Sequence, residues 1–214
     1  MERKDYIYIV LIKALTKLGK FSRMFNHYEY THIAVCLDNK LEDFITFSRK
    51  KHYSPFDSGF MHEKVEHYAF GENNKVKVKI FAIPVDINDK LKIEKYIKKI
   101  ENDNEYVFNL YSMITMPLLH GVKIYKAHNC MSFVSKIIEL SNSVKLQKKY
   151  YKYSIKDIDK LLNNFLYKEE YIQKKKDDKT YMQRVGLILN IKLFIILNIR
   201  LIFRIIMKRN KNYE

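Results

Sequence analysis

Cys130 is the residue of this sequence best placed for nucleophilic chemistry. It follows Asn129, a residue type that caps helices, and apolar residues recur behind it at helical spacing, at Phe133, Val134 and Ile137. A thiol in the first turn of a helix lies beside the positive end of the helix dipole, which favours the thiolate form. The pattern therefore predicts a helix that presents a nucleophile, while a cysteine that only packs remains the alternative.

His32 is the candidate base for this thiol, although it lies far upstream. It belongs to a predicted strand over residues 31–37, in which His32, Ala34 and Cys36 share one face. The small side chains of Ala34 and Cys36 predict a close approach of the cysteine helix to that face. The alternative is a strand histidine with a purely structural hydrogen bond.

The remaining motifs do not indicate a metal or a cofactor. In the segment 61–67, His62 and His67 are five residues apart, whereas two histidines that share a zinc ion on one helix are four apart. We interpret this segment as exposed and polar. No Cys/His ligand spacing and no glycine-rich phosphate loop occur, so we expect no metal site and no cofactor.

Hydrophobic periodicity predicts a mixture of strands and helices. Strands are predicted over 6–12, 31–37, 44–48 and 75–85, with helices from Asn88 or Asp89 to Glu101, behind Asn129, and behind a capping box at Ser154. Residues 49–59 are predicted as a loop. The expected fold class is α+β, with a small antiparallel sheet packed against the helix that carries Cys130.

A change of composition near residue 174 divides the chain. We predict a first domain over 1–173, a charged linker over 174–184 and an amphipathic basic helix over 185–214. On that helix, one side carries the polar residues Asn190, Asn198, Arg200, Arg204 and Lys208. Residues 185–209 could therefore lie on an anionic membrane, bind a partner, or pack on the body of the protein.

Charge and cysteine usage restrict the classes of protein. The 214 residues include 40 Lys and Arg against 24 Asp and Glu, a net charge of +16. Because the lysines are scattered and no nucleic-acid-binding module is recognisable, we do not expect nucleic acid as the partner. Two cysteines form no disulfide framework, and the N-terminus is a poor signal peptide, so the expected location is cytoplasmic, with peripheral membrane association as an alternative.

The order of these motifs resembles that of the circularly permuted papain-like thiol hydrolases. These form the YaeF/YiiX-type branch of the NlpC superfamily, whose relatives include lecithin retinol acyltransferase, and in them the histidine strand precedes the cysteine helix. The matching stretches are Thr31-His32-Ile33-Ala34-Val35, Phe47-Ser48-Arg49, Pro55-Phe56-Asp57-Ser58-Gly59-Phe60 and Asn129-Cys130-Met131-Ser132-Phe133-Val134. The resemblance covers residues 5–170 and implies a permuted papain-like fold.

The resemblance also implies the roles of individual residues. Cys130 would be the nucleophile and His32 its base, and the orienting polar group would come from the strand after the histidine, where Thr46 and Ser48 are available and Ser48 is our choice. Tyr106 would line the substrate site. The implied activity is hydrolysis of an amide through a thioester; the alternatives are a lipid-directed acyltransferase or lipase, with an ester substrate, and a catalytically inactive basic binding protein. The sequence does not indicate an oligomeric state.

Overall fold

Stretches rich in β-branched and aromatic residues form the central sheet of the protein. The structure is a computed structural model that describes residues 5–15, 28–70 and 72–209. Within these ranges, one antiparallel sheet contains β1 (Asp5–Ile12), β2 (His32–Cys36), β3 (Phe44–Lys51), β4 (Ser54–Glu63), β5 (Lys75–Val85) and β8 (Leu166–Gln173). Its strand order is β4-β3-β2-β1-β5-β8, so the short strand that begins with His32 lies inside the sheet.

Helices cover one face of this sheet. They are α1 (Ile87–Glu101), α2 (Leu110–Leu119), α3 (Cys130–Leu140), α4 (Ile155–Leu161) and α5 (Leu187–Arg209). A parallel pair of two-residue strands, β6 (Val107–Phe108) and β7 (Ala127–His128), leads directly into α3. The architecture confirms the predicted α+β class, with an antiparallel sheet packed against the cysteine helix.

The two faces of the sheet belong to two different apolar clusters. Alternate residues of β1 and β2, such as Ile9 and Val35, pack with Phe133 and Ile137 of α3 in the main core. Ala34 and Cys36 point to the opposite face, where they pack with Tyr68 and other residues. The prediction that α3 approaches the face of Ala34 and Cys36 is therefore wrong. The helix packs on the opposite face of β2, where the larger side chains of Ile33 and Val35 bury their apolar surface against it.

The predicted loop over 49–59 is also wrong, because it contains most of a β-hairpin. β3 continues to Lys51 and β4 begins at Ser54, with Lys51 opposite Ser54 and Ser48 opposite Gly59. Pro55 is compatible with β4 because that strand forms an edge of the sheet, where one side needs no ladder hydrogen bonds.

Helix starts follow their capping residues. Asn129 and Ser154 accept hydrogen bonds from Ser132 N and Asp157 N, so both predicted caps are confirmed. α1 starts earlier than predicted, since Asp86, and not Asn88 or Asp89, is its cap and accepts from Asp89 N. Asp86 lies directly after β5 in an extended conformation, so its carboxylate can accept a hydrogen bond from a backbone N–H of the first helical turn.

The C-terminal helix α5 packs on the body of the protein. Leu197 and Leu201 belong to the main core, and the Asn198 side chain accepts a hydrogen bond from Tyr111 Oη at 2.8 Å. In the segment predicted as a linker, Tyr181 is buried and stacks on His67. Residues 210–214 of the predicted helix lie outside the described residues. In the part of the chain that the structure describes, no helix is both long enough and apolar enough to cross a bilayer.

Candidate active site

A histidine and a buried carboxylate form the centre of the candidate site. His32 is the first residue of β2, and its Nε2 lies 2.7 Å from Oε2 of Glu63, the last residue of β4. Only 13% of the His32 side chain and 3% of the Glu63 side chain are exposed. A buried carboxylate at this distance can fix both the orientation and the charge of the imidazole.

The helix that carries Cys130 places its thiol beside the same imidazole. The side chains of Cys130 and His32 interact closely enough to raise the pKa of His32. Cys130 is partly exposed, as a nucleophile must be, and it is the first residue of α3. The structure therefore brings together the two residues that the sequence analysis selected.

The start of α3 is held by a reciprocal cap. Asn129 Oδ1 accepts from Ser132 N at 2.8 Å, and Ser132 Oγ accepts from Asn129 N at 3.1 Å. Because the cap fixes the first turn, the sulfur stays beside the backbone amides at the positive end of the helix. Such amides can stabilise an oxyanion that forms next to the sulfur.

Glu63 has two further partners in addition to His32. Ser48 Oγ donates to Oε1 at 2.6 Å, and Tyr68 Oη donates to Oε2 at 2.7 Å. Thr46, the other hydroxyl considered for the orienting role, donates to the backbone oxygen of Ile33 at 2.8 Å. Ser48 thus contacts the Glu63 carboxylate, and Glu63, not Ser48, contacts His32.

The charges of this cluster support one another. Burial alone would lower the pKa of His32, but the Glu63 carboxylate and the interaction with Cys130 outweigh it and raise that pKa to about 10. Burial would raise the pKa of Glu63, yet His32, Ser48 and Tyr68 together lower it. Burial and the Glu63 charge raise the pKa of Tyr68, which keeps its hydroxyl a hydrogen-bond donor. The arrangement favours an imidazolium that faces the thiol.

Tyr106 contacts a second histidine, His128, which lies two residues before Cys130. The two rings stack with their centroids 5.9 Å apart. His128 is buried and its ring nitrogens face Tyr96 Oη at 3.1 Å and Ser132 Oγ at 3.3 Å. Burial, with a smaller effect of Lys136 and Lys123, lowers the pKa of His128 to about 4. This neutral imidazole ties the strand before Cys130 to the cap of α3.

The sequence analysis missed Glu63. It lies in the segment 61–67, and the prediction that this segment is exposed is wrong at Glu63. His62 is exposed and pairs with Asp43, whereas Glu63 is buried. Recognition of β4 as a strand would have revealed it, because neighbouring side chains on a strand point to opposite faces. Among the described residues, no group of three or more His, Cys, Asp or Glu side chains is arranged to hold a metal ion.

Comparisons with known proteins add no relatives to this picture. No protein-family model, no curated protein and no solved structure matches the chain. The arguments for function therefore rest on the geometry of Cys130, His32 and Glu63.

Proposed function

We propose that this chain is a cysteine-dependent hydrolase with a permuted papain-like fold, in which Cys130, His32 and Glu63 act as a triad. The observation that carries the proposal is the His32 imidazole, which interacts with the Cys130 thiol and whose Nε2 lies 2.7 Å from Oε2 of buried Glu63. Nucleophile, base and orienting acid in this relation are the parts needed for acyl transfer, whatever the fold. The order of strand histidine and helix cysteine agrees with the resemblance to the permuted family.

The proposed reaction proceeds through a thioester. The Cys130 thiolate attacks the carbonyl carbon of an amide or ester, and the α3 amides stabilise the oxyanion. When the carbon–nitrogen or carbon–oxygen bond breaks, the His32 imidazolium donates its proton to the leaving amine or alcohol. His32, now neutral, removes a proton from water, the resulting hydroxide attacks the thioester, and the acid product leaves as the sulfur is freed.

Labelling with a library of acyl-directed electrophilic probes tests this proposal. We expect one or more probes to modify the native protein and the Cys36→Ala variant, but not Cys130→Ala. Cys36 is a matched control because it is a buried cysteine that packs in the other apolar cluster, away from the α3 side of the sheet. Equal labelling of Cys130→Ala, or a native protein inert to the whole library, would refute the proposal.

A lipid ester is the second candidate substrate class. It is favoured by the outward face of α5, where Ile188 and Ile199 are 85% and 61% exposed. Release of fatty acid from phospholipid vesicles, compared with release of amine from peptide amides, separates the two classes. Whichever of the two activities is faster in native protein, the proposal requires that Cys130→Ala lose it.

A further inference from the structure

The side of α5 that faces the protein carries polar residues as well as the buried Leu197 and Leu201. Asn190 Oδ1 accepts from Ser54 Oγ at 2.9 Å, and Asn198 Oδ1 accepts from Tyr111 Oη. Arg200 donates to the backbone oxygen of Asn104 at 2.9 Å, and Arg204 donates to the backbone oxygens of Glu105 and Lys126. A helix on a protein surface normally turns its apolar stripe towards the core and its polar side to solvent.

The exposed surface of α5 is apolar over most of its length and also carries the exposed Lys192. Its exposed large apolar side chains are Leu187, Ile188, Leu189, Ile191, Phe194, Ile195, Ile196, Ile199, Ile202, Phe203, Ile205, Ile206 and Met207. An exposed apolar surface that runs along a whole helix indicates a contact that excludes water.

A second helix extends this surface. Tyr111, Ile114 and Leu118 lie three and four residues apart on α2, so they share one side of that helix. Tyr111 contacts Asn198 of α5, while Ile114 and Leu118 are 62% and 84% exposed. The apolar side of α2 therefore adjoins α5, and we call the exposed residues of both helices the apolar platform.

The charges near the platform select its partner. Leu119, at the end of α2, lines a cavity of about 690 Å³ together with Lys123, Lys149 and Lys152. The one acidic residue of that lining, Glu139, is already paired with Lys136. These lysines and the net charge of +16 attract an anionic surface, and the same charge opposes contact between two copies of the chain.

We propose that the apolar platform docks on an anionic lipid bilayer, with α5 parallel to the surface. Apolar side chains of α5 and α2 enter the boundary between headgroups and acyl chains, and the lysines contact lipid phosphates. This inference goes beyond the hydrolase proposal and does not depend on it, since docking requires neither Cys130 nor His32.

Cosedimentation with vesicles tests the docking. We use phosphatidylcholine vesicles with and without an equimolar share of phosphatidylserine, and compare the native protein with an Ile188→Asp/Ile199→Asp variant and with Leu118→Asp. Ile87→Asp is the matched control, because Ile87 is 58% exposed at the start of α1 and is not part of the platform. The substituted side chains are exposed, so we expect all variants to fold, which urea unfolding checks.

We expect the native protein and Ile87→Asp to bind the anionic vesicles more strongly than the neutral ones. Binding by the platform variants should fall by roughly tenfold or more, because a charge at the lipid boundary replaces a buried apolar side chain. Native protein that stays in solution with both kinds of vesicle would overturn the proposal, as would platform variants that bind like native protein. A dimer without vesicles that the platform substitutions dissociate would assign the platform to a second copy and would also overturn it.

Discussion

His32 is subject to two opposing influences on its charge. Burial favours the neutral imidazole, whereas Glu63 and Cys130 favour the imidazolium, and the second influence is the stronger one. Glu63 stays charged inside the protein because His32 itself, together with the hydroxyls of Ser48 and Tyr68, stabilises the carboxylate. The two hydroxyl partners of the carboxylate thus support the charge that keeps His32 protonated.

Substitution of Glu63 by glutamine should lower the pKa of His32 and slow the reaction. The amide keeps the shape of the side chain but removes its charge, so the His32 pKa should fall from about 10, because burial is then opposed mainly by Cys130. The alkaline limb of the kcat/KM profile should therefore move to lower pH, and kcat/KM should fall by roughly 10²- to 10⁴-fold. An alkaline limb unchanged in Glu63→Gln would show that Glu63 does not control His32.

Loss of the Ser48 hydroxyl should have a smaller effect of the same kind. Ser48→Ala removes one of three partners of Glu63 and leaves the contact between Glu63 and His32 in place. We expect kcat/KM to fall by about tenfold, which corresponds to the ~1.4 kcal/mol of one hydrogen bond to a charged group. Steady-state kinetics with Thr46→Ser as the control variant measure this; a fall as large as that in Glu63→Gln would give Ser48 a direct role.

His128 should make the protein less stable in mild acid. Its pKa is lowered to about 4 in the folded protein, against 6.5 for the free side chain, so below about pH 6.5 the unfolded chain binds a proton that the folded protein does not bind. Between about pH 7 and pH 5 this should reduce the free energy of unfolding by ~2 kcal/mol. Urea unfolding of native protein and His128→Gln at both pH values isolates the contribution, and an equal pH dependence of the two proteins would contradict it.

At the scale of elements, the local sequence is sufficient to predict a helix or strand where a capping residue or a long apolar pattern is present. Asn129 and the residues behind it predict α3 because cap and periodicity agree. The hairpin of β3 and β4 escaped prediction because its turn at His52 and Tyr53 contains neither Gly, Asn nor Asp, and because Pro55 normally indicates a loop. That error concealed Glu63, since without β4 the segment 61–67 has no strand pattern that would place Glu63 on the inward face.

The packing of α5 could not be predicted from its sequence, because an amphipathic pattern does not say which side meets the protein. Leu201 is fully buried, whereas Ile199 is 61% exposed on the same helix. Leu201→Ala should therefore destabilise the protein by about 2–5 kcal/mol, and Ile199→Ala by less than ~0.5 kcal/mol. Urea unfolding measures both, and equal effects would mean that α5 does not pack through Leu201.

At the scale of the whole molecule, the fold assembles the site from three distant parts of the chain. β2 supplies His32, the end of β4 supplies Glu63 and the start of α3 supplies Cys130. The antiparallel order β4-β3-β2 and the packing of α3 against the sheet join them, and neither can be read from local patterns. The sequence could predict the pair Cys130 and His32 through the resemblance, while the third member required the sheet.

The central claim is that His32 activates Cys130, and the rate of alkylation by iodoacetamide at neutral pH tests it most directly. We expect Cys130 to react much faster in native protein and in Cys36→Ala than in His32→Ala, because an imidazolium beside the sulfur favours the reactive thiolate. Equal rates of Cys130 alkylation in native protein and in His32→Ala would contradict the claim.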